Sequence, residues 1–384
     1  MKICYLLEKA GPYHIFRLNA LQAHPRSELS VIETQPCSGT YSWKEKPGID
    51  FTIALMEENT YSALAEILEL KLPDVIILTG YGFKEMLWAM AWAVRNSVPV
   101  VMQSDSTYED QPRIWLKEQI KHFLLSHIQA AFVAGKRSSS YLQKLGIRST
   151  AIFTPYDIID NAFFSGTDRT DSPVGSPYFL CVSRLIPAKN LRFLIKSFSR
   201  FLESDYNKPA DLKLIILGDG PLEDSLREQI QQHNLTERII LKGFVHMDEV
   251  RNYYQHSIAL VLASISEPWG LCLNEAIAAG LPVITTNLAG AADDLIVDGI
   301  SGYLFSPDDE GQLLSKLQQV LQLTKDTRSE LTENATKNLE NYSITNFIDG
   351  LTTAARFAQK KPYNLWLRTV RSTLIKLIAK RTTS

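Results

Sequence analysis

No Cys-x-x-Cys pair and no Asp-x-Asp triplet occurs among the 384 residues. No apolar run approaches the ~20 residues that a bilayer-spanning helix needs. The four cysteines, Cys4, Cys37, Cys181 and Cys272, are scattered, which excludes a zinc ribbon or a disulfide-stapled scaffold. Two of them sit in apolar strand-like runs, 3–5 and 179–182, and read as buried thiols of a reducing compartment. An excess of either charge is also missing. Forty Lys and Arg against 42 Asp and Glu leave a net charge of −2, whereas a general nucleic-acid binder carries a basic surplus, so no nucleic-acid partner is expected. The first residues read as a strand, without the apolar region and cleavage site of a secretory leader. A cytoplasmic location is expected, with the protein soluble or at most peripheral on the inner face of the membrane.

What is present is an alternation. Short apolar runs at 2–7, 29–34, 74–79, 98–102, 130–134 and 150–153 alternate with helical patterns, and a second series follows at 178–183, 212–217, 238–242, 258–262, 282–286 and 303–305. Runs such as Val75-Ile76-Ile77-Leu78 suit central parallel strands covered on both faces. Strand–helix alternation predicts doubly wound parallel sheets, an α/β fold. At this length two domains are the default. The polar, turn-rich stretch 166–177 reads as the linker between an N-terminal Rossmann-like domain at 1–165 and a second at 178–342. A helix at 343–360 and a basic amphipathic tail at 361–384 complete the expected organisation. In open parallel sheets ligands bind beyond the carboxyl ends of the strands, so functional residues are expected in the loops that follow them.

Two such loops carry the chemistry. Ser264-Ile265-Ser266-Glu267-Pro268-Trp269-Gly270-Leu271-Cys272-Leu273-Asn274-Glu275-Ala276 follows the run 257–262 and opens a short helix that stops at Gly280. The amides of Gly270 and Leu271 fall at the helix N-terminus, where backbone donors and the helix dipole favour a phosphate. Taken alone, two acids eight apart are a capping pair or solvated side chains. Upstream, Cys181-Val182-Ser183-Arg184-Leu185-Ile186-Pro187-Ala188-Lys189-Asn190 leaves a strand and enters a helix. Without that setting, Arg184 and Lys189 would be surface cations.

Together these stretches resemble the GT-B-fold retaining glycosyltransferases of the family 4 (group 1) type. The Glu-x7-Glu spacing, the Pro-aromatic-Gly-Leu core and the Ser-Arg-Leu-x-x-x-Lys-Asn run carry the resemblance, strongly over 178–310 and in outline before that. It implies a GT-B architecture of two facing Rossmann-like domains with an interdomain cleft. It also implies a nucleotide-diphosphate-sugar donor, an acceptor that is not named, and transfer with retention. Carried over, Glu267 contacts donor-sugar hydroxyls, Glu275 the ribose hydroxyls, and Gly270 and Leu271 the diphosphate. Arg184 and Lys189 neutralise the leaving diphosphate, whose developing charge preorganised cations stabilise. Gly218, in Gly218-Asp219-Gly220-Pro221, and Gly243, near the expected base position, are donor-binding candidates, with simple turn chemistry as the alternative. Because cations and a helix N-terminus stand where a metal would, neither a metal nor any other cofactor is expected.

In the first half Gly11, in Glu8-Lys9-Ala10-Gly11-Pro12-Tyr13-His14, takes the place of a phosphate-approaching glycine pair, with plain loop formation as the alternative. His14 is either an acceptor contact or a helix cap. Where many family members carry a histidine that bonds the donor sugar, this sequence has Val101-Met102-Gln103-Ser104-Asp105. Asp105 is the substitute, an Asx-turn aspartate the other reading. From Lys360 to Arg381 the sequence has seven basic residues and no acid. Apolar residues at 366, 370, 374, 377 and 378 form a helical stripe. An anionic membrane surface met through 363–381 is therefore a candidate partner, and a lipid-linked or polysaccharide acceptor would follow from it. A helix packed on the protein is the alternative. The rival functions are a non-catalytic sugar-nucleotide-binding protein, a nucleotide-sugar epimerase on the same fold and, more remotely, a GT-B phosphorylase.

Overall fold

The computed structural model describes residues 1–25, 27–35, 48–56, 58–110, 113–166, 171–361 and 368–381. Cys37, linker positions 167–170 and the tail residues 362–367, Trp366 among them, lie outside the described residues. The chain divides into two compact units. One comprises Met1–Ser106, Gln111–Ile159 and Ile344–Ser384, the other Thr107–Asp110 and Asp160–Ser343.

The first unit alternates β1 (Lys2–Leu7), α1 (Pro12–Gln22), β2 (Glu28–Glu33), β3 (Ile53–Leu55), α2 (Tyr61–Lys71), β4 (Val75–Leu78), α3 (Lys84–Asn96), β5 (Val100–Ser104), α4 (Trp115–Leu125), β6 (Ala130–Val133), α5 (Lys136–Lys144) and β7 (Ile152–Phe153). Its seven strands pair in the order β3-β2-β1-β4-β5-β6-β7, all parallel. The four residues of β4 are wholly buried, as expected of an apolar strand covered on both faces. The start of α2 is set by Thr60, whose hydroxyl accepts the Ala63 N–H at 3.3 Å. The helix stops at Leu72, which turns left-handed ahead of Pro73.

The second unit runs α6 (Asn161–Ser165), β8 (Tyr178–Val182), α7 (Leu191–Glu203), β9 (Lys213–Leu217), α8 (Glu223–Gln232), β10 (Ile239–Gly243), α9 (Met247–His256), β11 (Leu260–Leu262), α10 (Leu271–Ala278), β12 (Val283–Thr286), α11 (Ala292–Leu295), β13 (Tyr303–Phe305), α12 (Glu310–Leu321) and α13 (Lys325–Leu339). Its sheet order is β10-β9-β8-β11-β12-β13, again parallel throughout. Helix α7 shows why the sequence folds this way. Leu191, Leu194, Ile195, Phe198 and Phe201 recur at helical spacing and are all buried against the sheet. Burying each such side chain contributes roughly 1.5–3 kcal/mol.

The chain then returns to the first unit as α14 (Ile344–Gln359) and α15 (Arg368–Arg381). Helix α14 lies against β5, β6 and β7, and α15 lies against α3. Ile375 and Ala379 of α15 enter the first unit's core. The Ser372 hydroxyl donates to the Ala91 carbonyl at 2.8 Å and Arg368 to the Ser97 hydroxyl at 2.6 Å. Of the predicted apolar stripe, Ile378 packs part-buried against that core. Val370, Leu374 and Leu377 stay exposed. The division between units falls after Ile159 rather than at 165, because α6, capped by the Asp160 carboxylate on the Phe163 N–H at 3.0 Å, packs on α10. No helix among the described residues is long and apolar enough to cross a membrane.

Candidate active site

In the second sheet the strand order reverses between β8 and β11, so the loops leaving these neighbours splay and open a crevice at their carboxyl ends. Both sequence motifs lie in those loops. The Ala188 carbonyl accepts the Ile265 N–H at 2.9 Å and joins the two. Across the join, Lys189 Nζ donates to Glu267 Oε2, which also accepts the Ser264 hydroxyl at 3.1 Å. The pair is largely sheltered, with side-chain exposures of 13% and 9%. Removing two ions from water is costly even when they pair, so their place at the mouth of this crevice points to a role beyond stability.

The loop carrying Glu267 is held from several sides. Gly290 and Ala291 donate their N–H groups to the carbonyls of Glu267 and Trp269 at 2.8 and 3.0 Å. The Trp269 indole is buried against Tyr342, ring centroids 4.9 Å apart, and donates to Asn274 Oδ1 at 2.9 Å. Gly270 then takes φ +99°, which an L side chain rarely adopts, and caps α10 without a side-chain acceptor. The first amides of α10 have no partner within the helix by construction, and with the dipole they favour an anion. Further along α10, Glu275 is buried and accepts the Tyr254 hydroxyl at 2.6 Å on Oε2. Burial, reinforced by the Glu267 and Glu275 carboxylates, pushes the Cys272 thiol well above its ordinary range. The thiol stays protonated and is no nucleophile at neutral pH.

Arg184 projects from the loop after β8, exposed and without an ion-pair partner among the described residues. The Gly218-containing loop holds it from behind. The Leu185 N–H donates to the Asp219 carbonyl at 2.7 Å, and the Leu222 N–H to the Leu185 carbonyl at 3.0 Å. A Cβ on Gly218 would lie 2.0 Å from the Ser183 carbonyl oxygen. Gly243 ends β10, and its carbonyl accepts the Gly218 N–H at 2.8 Å. Arg184, Lys189, Gly218, Gly243, Glu267, Gly270, Leu271 and Glu275 thus all stand at the carboxyl edge of one sheet or on α10.

The first unit holds the other three candidates. Gly11 caps α1, and its N–H donates to His14 Nδ1 at 3.2 Å, so His14 closes the turn from its own helix. Burial and the nearby Arg17 hold the imidazole down to about 3, and Nδ1 as acceptor assigns the ring proton to Nε2. Asp105 follows β5 and is half-buried, and its carbonyl accepts the Ser138 hydroxyl at 2.8 Å. Sequence reasoning missed the buried network beside them. Arg17 pairs with Asp157 at 3.3 Å, donates to the Ile158 carbonyl at 2.6 Å and lies over the Tyr156 ring at 4.9 Å. The fully buried Glu33 accepts the Ala10 N–H at 2.6 Å. Tyr254 was missed as well, because only the fold brings α9 to α10.

Residues 167–338 match the family model described as Glycosyl transferases group 1. Over that segment the chain is similar to members of that family. Two named enzymes are among the proteins to which the chain is similar. It is 28% identical over 224 residues to poly(glycerol-phosphate) alpha-glucosyltransferase of Bacillus subtilis, covering 57% of this chain and 31% of that one. It is 29% identical over 167 residues to the N-acetylgalactosamine-N,N'-diacetylbacillosaminyl-diphospho-undecaprenol 4-alpha-N-acetylgalactosaminyltransferase of Campylobacter jejuni, covering 44% and 43%. The chain therefore matches about a third to under half the length of these two relatives. Among solved structures it resembles HepE of Anabaena, crystallised in complex with UDP and glucose. The TM-score is 0.74 at 16% identity, over 93% of this chain and 99% of that one. That likeness shows the fold, GT-B.

Proposed function

We propose that the protein transfers a sugar from a nucleotide-diphosphate sugar to an acceptor with retention at the anomeric carbon and without a metal ion. One observation carries the reading furthest. The Lys189–Glu267 pair stands at the reversal point of the second sheet, beside the uncapped N-terminus of α10. A cation, a sheltered carboxylate and free amides are what a diphosphate bound to a sugar requires. Arg184, Lys189 and the amides of Gly270 and Leu271 hold the diphosphate, with Gly218 supporting the Arg184 loop and Gly243 near the base. Glu267 orients the sugar, and Glu275 takes the ribose hydroxyls. In the first unit Gly11 serves a phosphate, Asp105 a sugar hydroxyl and His14 the acceptor.

The bond from the anomeric carbon to the diphosphate oxygen breaks, and the acceptor oxygen bonds to the same face of that carbon. The acceptor proton passes to the leaving phosphate oxygen, whose charge the cations offset. Both relatives are named for α-linkages, the product of retention from an α-configured donor. UDP, present in the HepE complex, is the first nucleotide to test. The relatives' names also favour a polysaccharide or lipid-linked acceptor. The exposed Val370, Leu374 and Leu377 of α15, among its basic residues, favour a peripheral place on an anionic cytoplasmic membrane face.

The test is a thermal-shift panel of UDP-, GDP-, ADP- and dTDP-sugars in EDTA, on the wild type and on Glu275→Ala and Arg184→Ala. A ligand at a hundred times its Kd stabilises the native state by about 2.7 kcal/mol. A shift with one nucleotide family, lost in both variants, is expected. No shift with any donor in folded protein would overturn the reading in favour of a scaffold, and a shift that needs Mn²⁺ or Mg²⁺ would overturn metal independence.

A further inference from the structure

Glu275 does not hold its own carboxylate in place. The Tyr254 hydroxyl, reaching from α9, donates to Glu275 Oε2 at 2.6 Å. That separation is at the short end for a hydroxyl donating to oxygen. Tyr254 is itself fixed. Its side chain is wholly buried, and Phe164 meets its ring edge-on at 5.9 Å between centroids. Phe164 is buried too, on α6, and α6 packs on α10. Phenol, carboxylate and the three helices behind them therefore form one closed arrangement within the second unit.

A glutamate side chain has three rotatable bonds, and a carboxylate that receives two neighbouring hydroxyls must present its plane to both. Freezing that plane before the ligand arrives removes an ordering cost from binding. We propose that Tyr254 is a positioning residue that sets the direction of the Glu275 carboxylate and thereby determines how strongly the site selects a ribose bearing both hydroxyls. This rests on the reading that Glu275 meets the ribose.

The experiment measures Kd by calorimetry for UDP, GDP and ADP and for the 2′,3′-dideoxy form of each, on wild type, Tyr254→Phe and Phe164→Leu. The quantity read is the ratio of the dideoxy Kd to the ribose Kd for the base that binds best. In Tyr254→Phe that ratio is expected to fall about tenfold, with the dideoxy form binding as it does to wild type. Phe164→Leu keeps the phenol but loosens its ring, and is expected to lower the ratio by a smaller factor. It remains informative if Tyr254→Phe does not fold. Equal weakening of both nucleotide forms would mean a merely structural tyrosine and overturn the proposal, as would an unchanged ratio. A wild type that binds nucleotide without preferring the diol would instead refute the role of Glu275, and one that binds no nucleoside diphosphate would refute the donor site itself.

Discussion

Lys189 and Glu267 stand 78 positions apart in the sequence yet form one ion pair, because each lies in the loop that follows a strand and those strands are neighbours. His14 makes the opposite case, a titratable group held neutral by its surroundings. Its folded value of about 3 lies well below the ordinary 6.5. The unfolded chain therefore takes up a proton as pH falls below 6.5, while the native state refuses it until about 3. Stability is complete above that window and is lost within it on acidification, by up to about 1.4 kcal/mol per pH unit. Denaturant unfolding at pH 7 and pH 5 should show a loss of about 2 kcal/mol from this residue that His14→Gln largely removes. An equal loss in the variant would place the acid sensitivity elsewhere. At this scale Arg184, Lys189, Glu267 and Glu275 were legible because each lies in a contiguous motif whose spacing is itself the signal. Tyr254, and Arg17 with its partner Asp157 140 positions away, had no such signal.

An element is legible when its pattern outlasts local noise. The four apolar residues of β4 and the five buried apolar positions of α7 announce themselves. The edge strand β3, with only Ile53-Ala54-Leu55, is too short for alternation to register. Helix α6, five residues just ahead of the expected linker, is too short for a helical period to register, although Asp160 is an ordinary N-cap. Loops show the same division. Gly218 and Gly243 look alike in the sequence, both following a strand, and both have positive φ, +129° and +78°. Only Gly218 also faces a backbone oxygen within 2.0 Å of where a Cβ would stand, while open space surrounds that position at Gly243. Gly218→Ala should therefore cost about 2–4 kcal/mol and displace the loop bearing Arg184. Gly243→Ala should cost about 1–2 kcal/mol from backbone strain alone. Thermal denaturation of the two variants side by side checks this. Equal losses would show that strain, not crowding, governs both positions.

For the whole molecule, two α/β units followed from strand–helix alternation, since each βαβ crossover in a parallel sheet leaves the same imprint. What composition could not give was the side on which the last helix packs. The basic tail promised an amphipathic helix with its apolar stripe as the sticky face, yet the buried positions where α15 meets α3 are Ser372, Ile375 and Ala379, with Ile378 of the stripe part-buried beside them. Val370, Leu374 and Leu377 are left in water, 44–52% exposed. An exposed apolar row among cations that the protein's own core does not use suits the boundary of an anionic bilayer. Because that row is outside the core, it can be changed without unfolding the unit. Val370→Ser, Leu374→Ser and Leu377→Ser together should leave the melting temperature within about 2 °C, since exposed positions rarely matter by more than ~0.5 kcal/mol. The same triple variant should lose flotation with phosphatidylglycerol vesicles, which the full chain is expected to show and phosphatidylcholine vesicles to reduce strongly. If the variant floats as the wild type does, the row is only a solvated face, and the acceptor must be sought among soluble or polymeric molecules rather than lipids.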